Sequence, residues 1–355
     1  MRHTGSGNCA LPSASGPERR ADAVSKPLVS VVVPSLNRAA VIRPTLESIL
    51  SQDYGNIECI VMDGGSTDGT VEILRSYGER IRWVSERDKG QADAIDRGLR
   101  RSRGEICTWL NADDLWWGPS VISRVVAEFE GDPGLDVLYG DCVAVDLEGR
   151  EVAKSYVVPN WTLQYAVENA DHCIPQPASF IRRRALERVG FLDTSKIFMD
   201  WDLWLRIGID GRIRHIPVTL AAAREYEHHW HKRHRAAARE WVATVAAALD
   251  DPRMAAEIKA NSGKALVNAY MRAMRFRVLG GGLTETLMFG LKAARYDSEI
   301  ISAVIKSTRG FAEEQGRPEA AARLDRLLNR WETVRDYWRR ARRRVRRIGS
   351  RFQSR

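Results

Sequence analysis

The sequence predicts an α/β fold, a mostly parallel sheet flanked by helices, followed by a helical C-terminal extension. Three observations predict it. Between residues 28 and 116, apolar runs alternate with helix-like stretches, as successive strand–helix–strand units require. The runs are almost continuously apolar, as strands covered on both faces must be. From about residue 235 the composition turns to Ala, Arg, Leu and Glu with Trp at intervals, which favours helices.

The elements follow in order. LVSVVVP (28–34) reads as the first strand, 41–51 as a helix, IECIVMD (57–63) as a strand and 69–78 as a helix. IRWVSE (81–86) is a third strand, 90–103 a helix and EICTWLN (105–111) a fourth strand. A helix over 119–130 precedes a stretch, 135–158, that reads as strands joined by a turn at Glu148–Gly149. Residues 177–220 give a short strand, a helix carrying MDWDLWLRIG and a strand at 213–218. No internal repeat is present.

The totals narrow the class. A chain of 355 residues that is 44% hydrophobic holds one large domain with extras, or two. No run of eighteen apolar residues occurs, and the most membrane-like window, 278–291, contains Glu285 and a Gly triplet, so no membrane span is expected. Residues 1–27 lack an apolar core of signal-peptide length and read as a disordered leader, which places the protein in the cytosol. Five cysteines with no CxxC pair signal neither a disulfide framework nor a thiolate zinc site. The net charge of +9 is local: residues 330–355 carry eleven Arg against two acidic residues, and the rest of the chain sums to zero.

Ligands of an open parallel sheet bind beyond the carboxyl ends of its strands. Four segments end there: PSLN (34–37), DGGSTDGT (63–70), SERDKGQADA (85–94) and NADD (111–114). Asp63 is expected to accept hydrogen bonds from a nucleobase or ribose, while Gly64 and Gly65 permit close backbone approach. Asp68 is expected to cap the following helix. In NADD two carboxylates stand side by side, and such like charges repel unless a cation or basic group intervenes, which suits a hard divalent ion shared with substrate phosphates. The competing reading is an Asx-rich turn that caps the helix beginning near Pro119.

Together, VSVVVPSLNRAAVIRPTLESILSQDYGNIECIVMDGGSTDGT, WVSERDKGQADAIDRGLRRSRGEICTWLNADD, QPASFIRRRALERVGFLD and MDWDLWLR resemble the family 2 glycosyltransferases of bacterial cell-surface polysaccharide synthesis. The likeness covers about residues 28–232, with the motifs in the family's order. It implies a glycosyltransferase A-type, Rossmann-like fold, with 28–235 as the catalytic domain, 236–329 as a helical region and 330–355 as a basic tail. It implies a UDP- or GDP-linked sugar donor, a saccharide or lipid-linked acceptor, an inverting displacement and Mn2+ or Mg2+ as cofactor.

Residue by residue, the resemblance puts Pro34, Asn37 and Asp63 around the nucleoside. Lys89, Gln91 and Asp93 would stand near the ribose, diphosphate or sugar. Asp113 matches the last acidic position of the family's DXD metal motif, with Asp114 next to it as a second metal ligand. Asp200 in MDWD matches the general base. His228 and Lys232, in EYEHHWHKRH (225–234), match a His and Lys four apart that face the diphosphate or metal in relatives; a solvated basic turn is the competing reading of this run. Two departures stand out: Asn111 where many relatives have the first Asp of DXD, and Gly64 where many have a second Asp. Asn111, expected at the donor site, can still coordinate a metal through its amide oxygen but brings no charge, which weakens metal affinity. Trp201 and Trp204, at i and i+3, read as core.

From Leu324 the apolar residues fall three or four apart with Arg on the other face, a basic amphipathic helix. An anionic membrane surface is its first-choice partner, ahead of another helix, a nucleic acid or plain solvent. Two rival functions remain: a nucleic-acid binder acting through the arginine tail, although no nucleic acid is expected from residues 28–232, and an inactive sugar-nucleotide-binding relative. A processive synthase is disfavoured, because neither a QxxRW motif nor membrane spans are found.

Overall fold

The computed structural model describes residues 26–146, 148–154, 159–171, 174–224, 234–279 and 283–293, and, beyond these, 296, 302, 305–306, 309–310, 312–313, 316–329 and 332. His228 and Lys232, residues 1–25 of the expected leader and all but one residue of the basic tail lie outside the described residues.

The first half alternates as expected: β1 (Val29–Ser35), α1 (Ile42–Leu50), β2 (Ile57–Asp63), α2 (Thr70–Ser76), β3 (Arg82–Ser85), α3 (Gln91–Arg101) and β4 (Ile106–Trp109). Side chains alternate between faces along a strand, so Val29, Val31 and Val33 join Cys59 and Val61 under α1 on one face. Val32, Ile60, Met62, Cys107 and Trp109 point to the other face, under α3. Both faces are apolar because both are covered.

After β4 come β5 (Leu115–Trp116), α4 (Val121–Gly131), β6 (Val137–Val145), β7 (Glu151–Lys154), α5 (Leu163–Glu168), β8 (Ser179–Arg182), α6 (Arg183–Val189), α7 (Met199–Gly208) and β9 (Ile213–Arg224). The nine strands form one sheet ordered β3-β2-β1-β4-β8-β6-β9-β5, with β7 on β6. β3, β2, β1 and β4 run parallel. Past β4 the directions mix: β8 is antiparallel to both β4 and β6, β9 is parallel to β6, and β5 is antiparallel to β9. The short α5, α6 and β5 have no sequence counterpart above, since two to seven residues span too little of a helical or strand period to show one.

The chain then forms α8 (His234–Asp250), α9 (Ala256–Ala260), α10 (Ser262–Leu279) and α11 (Leu283–Ala293). This helical region shares its core with the sheet: Trp241, Val245, Ala273 and Phe276 are buried in the cluster that holds Val32, Trp109, Trp201 and Trp204. Trp241 stacks on Trp201 with ring centroids 4.2 Å apart and donates Nε1–H to the Ala170 carbonyl at 3.0 Å. None of the described helices is long and apolar enough to cross a membrane.

One carboxylate ties α5 to the helices that follow. Glu168, 7% exposed, accepts hydrogen bonds from Gln164, Asn261 and the Lys264 ammonium at 2.8–2.9 Å, and its carbonyl accepts from Asn268. The Lys264 bond first, and then that from Gln164, hold its carboxyl well below the usual carboxylate range, at about 2. A depressed folded-state pKa contributes stability above the unfolded value and loses it as the pH falls through the folded one. Glu168→Gln should therefore cost about 1–2 kcal/mol near neutrality, discounted because the Lys264 side chain is 59% exposed and screened by water. In urea titrations the gap from wild type should narrow between pH ~4.5 and ~2. A second test concerns Gly98 of α3, where an added Cβ would overlap Val32 and crowd Met62 on the sheet. Gly98→Ala should lower stability by about 1–3 kcal/mol, read as a shift of the denaturation midpoint without change of slope.

Candidate active site

The parallel register brings the strand tips to one edge. Ser35 of β1 lies beside Asp63 of β2, which lies beside Ser85 of β3, while Val32 of β1 pairs with Trp109 of β4. The loops that leave these tips surround a cavity of about 1060 Å3.

Asp63 organises the first of those loops. Its Oδ2 accepts from the N–H groups of Gly65 and Ser66 and from the Ser85 hydroxyl, and its Oδ1 from the Ser66 hydroxyl. Ser66 Oγ in turn accepts the Asn37 N–H, and Asn37 Oδ1 accepts the Thr67 N–H. The buried carboxylate thus locks the β1 and β2 loops together and sets Asn37, which has a positive φ of 53°, on the cavity wall. Asp68 accepts from the Thr70 N–H and hydroxyl at the start of α2 and from the Ala39 N–H. Gly64 has a spatial counterpart. The Asp88 carboxylate, which lines the cavity, lies 2.6 Å from where a Cβ at 64 would be.

The tip of β4 carries the adjacent acids. Asn111 accepts from Gln91 Nε2 at 2.7 Å and donates to Asp114 at 2.9 Å, joining this loop to the first turn of α3. Asp113 lies 3.7 Å from Arg38 Nε. Burial first, and then the neighbouring charge of Asp113, push the Asp114 carboxyl up to about 8, while Asn111 and Arg224 pull the other way. Arg224 ends β9 on the same wall, and its Nε and Nη1 are buried with no acceptor among the described residues. Two adjacent carboxylates, one desolvated, fit a hard divalent cation that completes its shell with phosphate oxygens and water. No group of three or more His, Cys, Asp or Glu able to hold a metal occurs among the described residues.

The rest of the lining comes from later in the chain. Asp200, half-buried, sits in the first turn of α7, with Oδ1 accepting the Trp201 N–H. Asp202, two residues on, pairs with Arg206 at 2.8 Å instead. The backbone leading into α7 is held by α8: Glu240 accepts the N–H groups of Ile197 and Phe198 at 2.7–2.9 Å. Trp241 of α8 and Arg272, Arg275 and Phe276 of α10 complete the wall.

With that geometry in view, residues 30–190 match the profile described as Glycosyl transferase family 2. Over that segment, a little under half of its length, the chain is similar to the family 2 glycosyltransferases. It is 28% identical over 212 residues to a PGL/p-HBAD biosynthesis glycosyltransferase of Mycobacterium bovis, covering 57% of this chain and 79% of that protein. It spans only 31% of the length of an uncharacterized glycosyltransferase of Rickettsia felis. The fold is the glycosyltransferase A type. It is similar to Staphylococcus aureus TarS residues 1–349 in complex with UDP-GlcNAc, with a TM-score of 0.59, 19% identity and coverage of 88% of this chain and 92% of that one. It is also similar to the mannosyltransferase PcManGT of Pyrobaculum calidifontis in complex with GDP-Man and Mn2+, with a TM-score of 0.55, 21% identity and coverage of 89% and 88%.

Of the residues singled out in the sequence, Pro34, Asn37, Gln91, Asn111, Asp113, Asp114 and Asp200 line this cavity. Asp63, Lys89 and Asp93 do not. Asp63 is turned into its own loop, Lys89 is exposed, and Asp93 accepts the Lys89 N–H at 3.2 Å in the first turn of α3. Arg38, Asp88, Arg224, Trp241, Arg272, Arg275 and Phe276 line it without having been foreseen. Arg38 follows PSLN, Asp88 lies within SERDKGQADA and Arg224 directly precedes EYEHHWHKRH; the rest arrive by long-range packing that no local spacing encodes.

Removing the Glu240 carboxylate leaves two N–H donors at the entry to α7 without an acceptor. Glu240→Ala should cost about 1–3 kcal/mol of stability. Proteolysis of the native variant should cut around 195–199 at least about fivefold faster than wild type, while Glu240→Gln, which keeps one acceptor oxygen, should fall between.

Proposed function

We propose that the protein is an inverting, metal-dependent glycosyltransferase. It moves a sugar from a UDP- or GDP-linked donor to a hydroxyl of a saccharide or lipid-linked acceptor in cell-surface polysaccharide synthesis. The observation that carries the reading is that Asp113 and Asp200, from distant parts of the chain, line the same cavity as Pro34, Asn37 and Gln91. The nucleotide-sugar complexes of the two similar structures support the donor class, and the Mn2+ of the mannosyltransferase supports the cofactor.

In this reading Pro34 and Asn37 hold the nucleoside, with Asp63 bracing their loop. Gln91 and Asn111 bridge the donor's middle, while Lys89 and Asp93 act at the rim through the first turn of α3. Asp113 and Asp114 hold Mn2+ or Mg2+, which supplies positive charge beside the departing diphosphate. Arg224, with two buried donors unfilled among the described residues, faces the same charge. His228 and Lys232 keep their place near the diphosphate on sequence spacing alone. Asp200 accepts the proton of the acceptor hydroxyl as it attacks the anomeric carbon from the side opposite the leaving diphosphate, and one such displacement inverts that centre. The arginine tail, residues 330–355, attaches the enzyme to the inner face of the membrane through anionic lipids.

Nucleoside diphosphate release from a panel of UDP and GDP sugars, with and without Mn2+ or Mg2+, tests the assignment. Asp200→Ala should lose about 10²–10⁴ in kcat with donor affinity kept. Asp113→Ala should lose at least about 10² and its response to added metal. Full turnover in both variants would falsify the proposed roles.

A further inference from the structure

The lining contributed by α8, α10 and the entry to α7 differs in chemistry from that at the strand tips, and the difference points to the acceptor. At the donor end the strand tips supply Asp88, Asp113 and Asp114 with Arg38 and Arg224 among them, so cations for a diphosphate are already present there. The wall built by α7, α8 and α10 holds Asp200, three aromatic rings and two more guanidinium groups. Phe198, Trp241 and Phe276 pack on one another with centroid separations of 4.7–5.7 Å, and all three line the cavity. Arg272 and Arg275 project from one face of α10, a turn apart, a spacing at which like charges repel.

The two arginines are placed differently from the other cations of α10. Lys264 pairs with Glu168 and Arg277 with Glu285, and neither lines the cavity. Arg272 does line it. One Nη2–H donates to Asp171 at 2.6 Å, and the guanidinium lies over the Trp241 ring, 5.8 Å from its centroid. A guanidinium carries five N–H donors in a fixed plane, so this single bond fixes its orientation and leaves the remaining edge able to meet an oxyanion. Arg275 adds a second fork on the same wall, a pairing suited to a carboxylate or phosphate gripped through two or more N–H groups.

We infer that this wall is the acceptor subsite, and that the acceptor is a sugar or polyol bearing an oxyanion, held by Arg272 and Arg275 while its carbon skeleton lies on Phe198, Trp241 and Phe276. The inference rests on the transferase reading, which puts the attacking hydroxyl at Asp200 on this same wall. It goes beyond that reading by giving the acceptor a charge. It also assigns acceptor choice to α8 and α10, outside the segment matched by the family profile.

The test is calorimetric titration of the full chain, saturated with nucleoside diphosphate and Mn2+ so that the donor end is filled. The probes are glucose 6-phosphate, glucuronate and glucose. Wild type should bind the phosphate, the carboxylate or both at least about tenfold more tightly than glucose, the effect of one charge-assisted hydrogen bond. The two anionic probes separate a phosphate site from a carboxylate site. The preference should fall to about unity in Arg272→Ala/Arg275→Ala and be clearly reduced in Arg275→Gln, which leaves the Arg272–Asp171 pair in place. Equal binding of glucose, or a preference that survives both variants, overturns the inference and leaves the transferase reading standing. Arginine-dependent binding of an anion by a chain that fails to bind any nucleoside diphosphate supports the oxyanion subsite and overturns the transferase reading instead.

Discussion

Parallel pairing of β1 with β2 and β4, buried on both faces, is the constraint from which the rest of the molecule follows. A strand covered on two sides cannot slip by one residue without exchanging its faces, which would drive Val29, Val31 and Val33 into the space of Val32. The register is therefore fixed, and with it the level at which Ser35, Asp63 and Ser85 end their strands. That level makes the Asp63 loop possible: its carboxylate reaches a hydroxyl on the neighbouring strand and three donors of its own turn. The apolar interior thus sets the floor on which the polar edge is built.

The polar edge separates its charges. Asp136, Glu58 and Glu168, away from the cavity, are all surrounded by cationic or hydrogen-bonding partners that hold their carboxyls low. Asp114 moves the opposite way, because burial and a like-charged neighbour outweigh one amide and one arginine. Desolvated acids without a dedicated counter-ion are costly to keep, and their presence at a cavity wall marks the place where a ligand's charge is expected. The three acids away from the cavity are thus held low by partners within the chain, while the buried Asp114 at the cavity wall is raised.

How much could be read beforehand depended on distance along the chain. β1 to β4 and the helices between them were legible, because each strand is short, apolar and closed by turn residues. Asp113 and Asp200 were legible because each sits in a dense motif at an element's end. Asp63 shows the limit of local reading: a strand-end aspartate before Gly-Gly-Ser is expected to meet a ligand, and in the structure its oxygens accept from Gly65, Ser66 and Ser85 of its own edge. β8 could not be placed between β4 and β6, since strand order is a tertiary fact. Glu240, Trp241 and Arg272 looked like ordinary members of an Ala-, Arg- and Leu-rich helical region, and only the packing of α8 and α10 on α7 gives them a role.

The Trp201–Trp241 stack has a consequence for the nascent chain. Trp201 leaves the ribosome well before the rings that cover it, Trp241 and Phe276, which follow roughly 40 and 75 residues later; at ~5–20 residues per second that is a wait of several seconds. Through this interval a bare tryptophan surface, Trp201 with its neighbours on α7, stands beside a sheet already able to form. Biogenesis of this protein is thus most exposed to aggregation midway through synthesis, and a chaperone with affinity for aromatic surfaces would find its target there.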